Sequence, residues 1–341
     1  MNGLRVAMVG ATGAVGKELV EILHERSFPI KELRLLASKR SAGKKVETPF
    51  GVLSVEEAGE ETFVGLDLVF FSAGGGVSQR LAPVAVKGGA LVIDNSSAFR
   101  MDPDVPLIIP EVNAADAAGH KGILANPNCT TIIVLTALKP LHDALRIERI
   151  VVSTYQAASG AGAKGIAALK RESAAVLEGL DVNPSIFPYG DASTHYPLAF
   201  NLIPHVDVFD EGGYTKEEWK MVNESRKILS LPELRISVTN VRVPVFRCHA
   251  AALNVEVKEE ADETRVKGIL AHAPGLELVD DPDNFKYPMP VISTGRNEIS
   301  VGRVRRDPSV KRGWNLWVVG DQIRKGAALN AVQIAEYMYC K

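Results

Sequence analysis

A cysteine lies in Asn126-Pro127-Asn128-Cys129-Thr130-Thr131, directly ahead of an apolar helical run that begins at Ile132. That placement sets the Cys129 thiol at a helix N-terminus, where the dipole and free backbone N–H groups stabilise the nucleophilic thiolate. Buried packing is the usual fate of cysteine, and Cys248 and Cys340 lack such a setting. A second feature is Gly10-Ala11-Thr12-Gly13-Ala14-Val15-Gly16, between a strand pattern and a helix pattern. Its glycines allow a tight turn and close approach to a dinucleotide, whose phosphate meets the helix N-terminus. At the end of the second strand pattern stands Ser38-Lys39-Arg40-Ser41, without the acidic residue that holds the ribose 2′-hydroxyl of NAD. Hydroxyls and a guanidinium suit a 2′-phosphate, which favours NADP. Ser72-Ala73-Gly74-Gly75-Gly76 offers a second close-approach loop, or simply a flexible turn.

Arg242 alternates with Val241, Val243 and Val245, so its planar fork projects from the other face of a strand. That geometry suits a bidentate carboxylate clamp, and equally a solvent-facing arginine on a half-exposed strand. Glu217 and Lys220, three residues apart, share a helix face, as a surface ion pair also does. No HExxH, paired CxxC or EF-hand spacing occurs, and no metal is expected.

These groups require a frame to position them. Leu4–Val9, Leu33–Ala37, Asp67–Phe71, Ala90–Asp94 and Ile123–Ala125 read as strands. Val15, Leu19, Ile22 and Leu23 fall at helical spacing behind the first, and Val77–Val86 reads as another helix. Such alternation predicts a parallel sheet covered by helices. After about residue 145, Arg149–Tyr155, Ile236–Phe246, Ala250–Val257, Val291–Thr294, Glu298–Val304 and Trp314–Val319 read as strands. Several alternate as a half-exposed antiparallel sheet does, with Gly295-Arg296-Asn297 as a hairpin turn. Helical patterns cover Ile166–Leu177, Trp219–Leu229 and Gly326–Met338. The expectation is a nucleotide-binding α/β domain over 1–128, an α+β catalytic and dimerisation domain over 129–321, and a terminal helix, 322–341, returning to the first.

The chain of 341 residues is long enough for two domains. Its 39 Lys plus Arg against 41 Asp plus Glu leave a net charge of −2, no basis for binding nucleic acid or an anionic membrane. Three cysteines exclude a disulfide scaffold and point to a reducing, cytoplasmic setting. The apolar stretch Thr131–Leu138 is too short to cross a bilayer, and Glu18 and Glu21 argue against a signal peptide.

Further motifs are Ser97-Ala98-Phe99-Arg100, Gln156 with Ser159-Gly160-Ala161-Gly162, Glu217-Glu218-Trp219-Lys220, Arg242-Val243-Pro244-Val245 with His249, and Gly320-Asp321-Gln322. In combination with the glycine loop and the cysteine segment they make the chain resemble bacterial-type aspartate-semialdehyde dehydrogenase over essentially its whole length. The resemblance implies a Rossmann-type parallel-sheet domain plus an α+β domain of the glyceraldehyde-3-phosphate-dehydrogenase-like kind. It implies reversible phosphorylating oxidation of L-aspartate 4-semialdehyde by NADP⁺ to 4-phospho-L-aspartate, running physiologically in reverse, towards lysine (through diaminopimelate), methionine, threonine and isoleucine.

It also implies the roles. Cys129 would form the acyl-thioester and His249 the acid–base, with Gln156 placing the substrate. Arg242 would take the substrate carboxylate and Glu217 its ammonium, while Arg100, Lys220 and Asn128 serve inorganic phosphate. The cofactor would contact Gly10, Thr12, Gly13, Ala14, Val15, Gly16, Ser38, Arg40, Ser41, Ser72, Ala73, Gly74, Ser159, Gly160 and Gln322. A homodimer is implied, with the Ile166–Leu177 helix as a contact. Two alternatives remain open. One is another phosphorylating aldehyde dehydrogenase, such as N-acetyl-glutamyl-phosphate reductase or glyceraldehyde-3-phosphate dehydrogenase. The other is a non-catalytic NADP-binding redox sensor, which would be expected to have lost the thiol, base or clamp.

Overall fold

The computed structural model describes residues 3–340. They divide into two compact units: the first runs to Asn128 and adds Lys227–Leu229 and the chain from Ala327 onward, and the second comprises Cys129–Arg226 and Ser230–Gly326.

In the first unit, β1 (Leu4–Val9) leads into α1 (Ala14–Glu25), then β2 (Ile30–Ala37), β3 (Lys45–Thr48), β4 (Gly51–Glu57) and β5 (Leu68–Phe71). α2 (Gly75–Lys87), β6 (Leu91–Asp94), α3 (Pro110–Asn113) and β7 (Ile123–Ala125) complete it before the chain leaves. The strand order is β3-β4-β2-β1-β5-β6-β7. All neighbours pair in parallel except β3 with β4. Because a strand's side chains alternate, Val6 and Met8 of β1 join one core while Ala7 and Val9 join the core on the opposite face. Burial on both faces explains why these strands read as continuous apolar runs. The chain steps from β1 outward to β2 and later returns to β5 on the other side, so the loops after β1 and β5 meet at the topological switch point.

In the second unit α4 (Cys129–Leu145) is followed by β8 (Ile147–Gln156), α5 (Gly162–Leu177), α6 (Lys216–Leu229, all but its last three residues in this unit), β9 (Arg235–Arg242) and β10 (His249–Val257). Then come α7 (Glu263–Ala271), β11 (Leu276–Leu278), α8 (Pro290–Ser293), β12 (Ile299–Asp307) and β13 (Gly313–Gly320). The sheet order is β11-β12-β13-β10-β8-β9, and α4 packs on β8, β10, β12 and β13. A π-helical turn, Arg324–Ala328, leads into α9 (Leu329–Tyr339), whose apolar face joins α1 in the core of the first unit.

The structure corrects several expectations. The sheet is mixed rather than antiparallel, since β9 runs parallel to β8 and β11 parallel to β12. Val291–Thr294 is not a strand: Pro290 occupies the first position of α8, where its fixed φ favours a helix start. Gly295-Arg296-Asn297 therefore follows a helix and is not a hairpin turn. The strand expected over Ile236–Phe246 stops at Arg242. Beyond it Pro244 has no N–H to give a ladder, and Val243 donates to the Gln156 carbonyl at 3.0 Å. The β3–β4 hairpin was not foreseen; its mostly exposed strands carry little apolar signal.

Candidate active site

α4 begins at Cys129, so the half-buried thiol stands where helix N–H groups lack intrahelical acceptors. Gly326 packs over it: a Cβ there would lie 3.1 Å from Cys129 Cβ and 3.3 Å from Gln322 Cβ. Gln322 Nε2 donates to Ser159 Oγ, and its Oε1 accepts the Cys248 amide at 2.8 Å. Ser159 and Gln322 thus bind together the loops around the thiol.

Three strand ends supply the other polar groups. Gln156 closes β8, Arg242 closes β9 as its register partner, and His249 opens β10, which flanks β8 on the other side. Alternation along β9 buries Val238, Asn240 and Arg242 together. Arg242 is only 4% exposed, which removes the solvent-facing reading. Its Nη1 donates to the Ala157 carbonyl at 2.8 Å, the Phe187 ring lies 5.7 Å from its Cζ, and its Nε has no partner. Burial draws the guanidinium pKa down, opposed by the charges of Glu217 and Cys129. The guanidinium and the thiol are therefore electrostatically coupled.

His249 is buried, and the Ala157 N–H donates to its Nδ1 at 3.0 Å. Its Nε2 is left buried without a partner. Burial, reinforced by the Arg242 charge, pushes this imidazole down to about 3, so it is neutral near pH 7. Gly160 packs on both groups: a Cβ there would lie 2.5 Å from Arg242 Nη1 and 3.2 Å from His249 Nε2.

Glu217, buried in the first turn of α6, pairs with Lys220 at 3.1 Å, as their spacing predicts. Lys220 also pairs with Asp207 at 2.7 Å. Burial would lower its pKa, but Glu217 and Asp207 outweigh that and hold it well above the ordinary lysine value. Asp207, absent from the sequence reading, lies in a loop at φ 69° that no sequence periodicity marks.

In the first unit, buried Arg100 donates from Nε to Asn126 O and from Nη2 to Asn95 O, each at 2.9 Å. Asn128 is buried immediately before the thiol. A cavity of about 510 Å³ opens at the switch point, lined by Gly10, Thr12 and Gly13 from one loop and Ser72 and Ala73 from the other. Gly10 has φ 90°, and a Cβ there would run into the Ser72 carbonyl, so only glycine lets these loops close together. Gly13 caps α1 without a side-chain hydrogen bond, leaving a bare helix N-terminus that fits a pyrophosphate. Ala14, Val15 and Gly16 form the first turn of α1, and Gly74 caps α2; none of them lines the cavity. Ser38 does line it, whereas Arg40 is exposed and Ser41 buried, both off its wall. Lys39, Glu57 and Arg80 also line it and were missed, Glu57 because β4 itself was not foreseen. Among the described residues no three His, Cys, Asp or Glu side chains gather to hold a metal ion.

A cavity at the glycine loop of one unit, and in the other a thiol at a helix start with an imidazole and a guanidinium at strand ends, point to the dehydrogenase class. Residues 5–120 match the semialdehyde dehydrogenase NAD binding domain, and residues 138–325 the semialdehyde dehydrogenase dimerisation domain. The chain is 48% identical to an aspartate-semialdehyde dehydrogenase of Bacillus subtilis, over 98% of this chain and 97% of that one. It is 49% identical to one of Aquifex aeolicus, over 98% of each. The crystal structure of aspartate semialdehyde dehydrogenase II complexed with ASA from Vibrio cholerae is 44% identical and superposes with a TM-score of 0.94, covering 100% of this chain and 99% of that one. The chain belongs to the aspartate-semialdehyde dehydrogenase family. It is an oxidoreductase with a nicotinamide-cofactor domain and a dimerisation domain.

Proposed function

We propose that this enzyme interconverts L-aspartate 4-semialdehyde, phosphate and NADP⁺ with 4-phospho-L-aspartate and NADPH, the reductive direction serving biosynthesis of the aspartate-derived amino acids. The observation that carries the reading is the buried Arg242 guanidinium, its Nε unpartnered, within electrostatic reach of Glu217 and Cys129: a cation, an anion and a nucleophile in one unit. A small substrate with a carboxylate, an ammonium and an aldehyde matches those three groups.

Thiolate Cys129 adds to the aldehyde carbon, and the carbonyl oxygen becomes an oxyanion. With Nδ1 engaged by Ala157, the neutral His249 ring holds its proton on Nε2 and donates to that oxyanion. No proton need move: as hydride leaves the carbon, the oxyanion collapses to the thioester carbonyl, still held by the same Nε2–H. A nicotinamide cofactor held by the Gly10–Gly13 and Ser72–Ala73 loops would supply the acceptor for hydride from the carbon that bears the oxyanion, and the donor in the reductive direction. Phosphate then attacks the Cys129 thioester and the thiolate leaves. Arg242 takes the α-carboxylate, Glu217 the ammonium, Gln156 orients the acyl group, and Lys220, Arg100 and Asn128 serve the phosphate.

The NADP preference is supported by Ser38 and Lys39 on the cavity wall and by neighbouring Arg40. We take residues 1–128 with the terminal helix as the cofactor domain and 129–321 as the catalytic and dimerisation domain. A homodimer is supported by the dimerisation-domain match and by apolar side chains left exposed in the second unit, Tyr155, Phe285 and Val291 among them. A cytoplasmic setting is supported by three free cysteines; no helix among the described residues is long and apolar enough to cross a membrane. The test is NADPH formation by purified protein from aspartate semialdehyde, with and without phosphate. Formation that ignores phosphate refutes the assignment.

A further inference from the structure

We infer that Glu218 is a positioning residue that sets the spacing between the ammonium site and the carboxylate clamp. Glu218 is buried at the start of α6, next to Glu217 and two residues before Lys220. One of its oxygens, Oε2, accepts the Thr215 amide at 2.7 Å, while Thr215 Oγ1 accepts the Glu218 amide at 3.3 Å. This reciprocal pair is a capping box, which fixes where α6 begins. A capping box needs only one carboxylate oxygen. The other, Oε1, crosses to β9 and accepts the amide of Asn240 at 2.9 Å.

Asn240 lies two residues before Arg242 on the same buried strand face. Its side chain continues the connection, since Oδ1 accepts Thr154 Oγ1 at 2.6 Å, and Thr154 Oγ1 accepts Gln156 Nε2 at 3.5 Å. A single carboxylate therefore ties the helix bearing Glu217 and Lys220 to the strand bearing Arg242, with Gln156 at the end of the chain of contacts. Charge-assisted bonds to two backbone amides are short and directional, which suits a spacer between rigid elements. Glu218 touches none of the reacting groups in this scheme. Its effect is confined to substrates that use both the anion and the cation it spaces.

The inference rests on the reading of Glu217 and Arg242 as a two-point substrate site, and the test separates the two. Glu218→Gln keeps size and one acceptor but turns an NH₂ toward one of the two amides. Wild type and variant are assayed on aspartate semialdehyde, on its analogue lacking the α-ammonium and on that lacking the α-carboxylate. The expected result is a KM for aspartate semialdehyde raised about tenfold, with kcat and cofactor KM changed less than about twofold, and each one-point analogue nearly as good for variant as for wild type. Thr215→Ala, which loses the threonine half of the box but keeps the Asn240 bond, should retain wild-type selectivity. If Glu218→Gln does not fold, Glu218→Asp, too short to span both amides, takes its place with the same expectation. Equal losses on all three aldehydes, no loss on any, or the same loss of selectivity in Thr215→Ala overturns the inference alone. A wild type that does not prefer the two-point substrate overturns the substrate reading and this inference with it.

Discussion

Gly160→Ala adds one methyl group where the structure leaves no room for it. The new Cβ would stand 2.5 Å from Arg242 Nη1, 3.1 Å from His249 Cε1 and 3.2 Å from His249 Nε2. Bringing the first contact to an ordinary 3.4 Å means moving Nη1 by 3.4 − 2.5 = 0.9 Å. Nη1 is held to the Ala157 carbonyl at 2.8 Å, and the whole side chain is buried, so the guanidinium cannot swing into solvent. Overpacking of this kind typically costs about 1–3 kcal/mol of stability. A displacement near 1 Å at a substrate clamp costs on the order of 10²-fold in rate. The variant should therefore stay folded, by thermal melting, while kcat/KM for aspartate semialdehyde falls about 10²-fold. Cofactor affinity, measured by fluorescence titration, should change by less than about threefold. Activity within about threefold of wild type would show that the clamp tolerates displacement and refute the geometric argument. A loss residing wholly in cofactor affinity would instead make Gly160 a cofactor residue, as the family resemblance implies.

Cys129→Ala should abolish turnover by several orders of magnitude, and acyl mass trapped from substrate should map to Cys129 alone; acylation elsewhere defeats the covalent scheme. Cys248→Ala and Cys340→Ala should keep measurable activity. The folded pKa of His249, about 3, lies below the value near 6.5 expected in the unfolded chain, so the unfolded state takes up a proton first as pH falls. Stability should drop between about pH 6.5 and 3 more steeply in wild type than in His249→Gln, and parallel Tm–pH curves would contradict the assigned burial. Arg40→Ala should weaken NADP more than NAD by about 1–3 kcal/mol in calorimetric titration, whereas equal losses would leave the 2′-phosphate to Ser38 and Lys39.

Local pattern determined much of this protein. The strand–turn–helix around Gly10 was legible because a parallel strand buried on both faces reads as an unbroken apolar run, and the loop's glycines punctuate it. The Cys129 setting was legible for a similar reason: a cysteine directly before an apolar helical run must begin a helix. The pairing of Glu217 with Lys220 followed from helical spacing alone. Local signals also misled. Val291–Thr294 looked like a strand from its β-branched residues, yet Pro290 started a helix there.

The tertiary structure decided what no spacing encodes. Arg242 could have faced solvent or the interior with the same alternation; its burial beside Phe187 and the Ala157 carbonyl decided for the interior. His249 showed only as a lone histidine, and its neutrality follows from enclosure and from the charge of Arg242, which stands at the end of a strand that β8 separates from its own. Asp207 and Glu57 entered their sites on a loop and a solvent-washed hairpin, where hydrophobic periodicity is silent. Thr215 and Glu218 carried a readable capping box, but the second bond to Asn240 depends on α6 lying against β9. Periodicity reports which face of an element is buried. Which groups then meet across that buried face is fixed only when the strands take their order in the sheet.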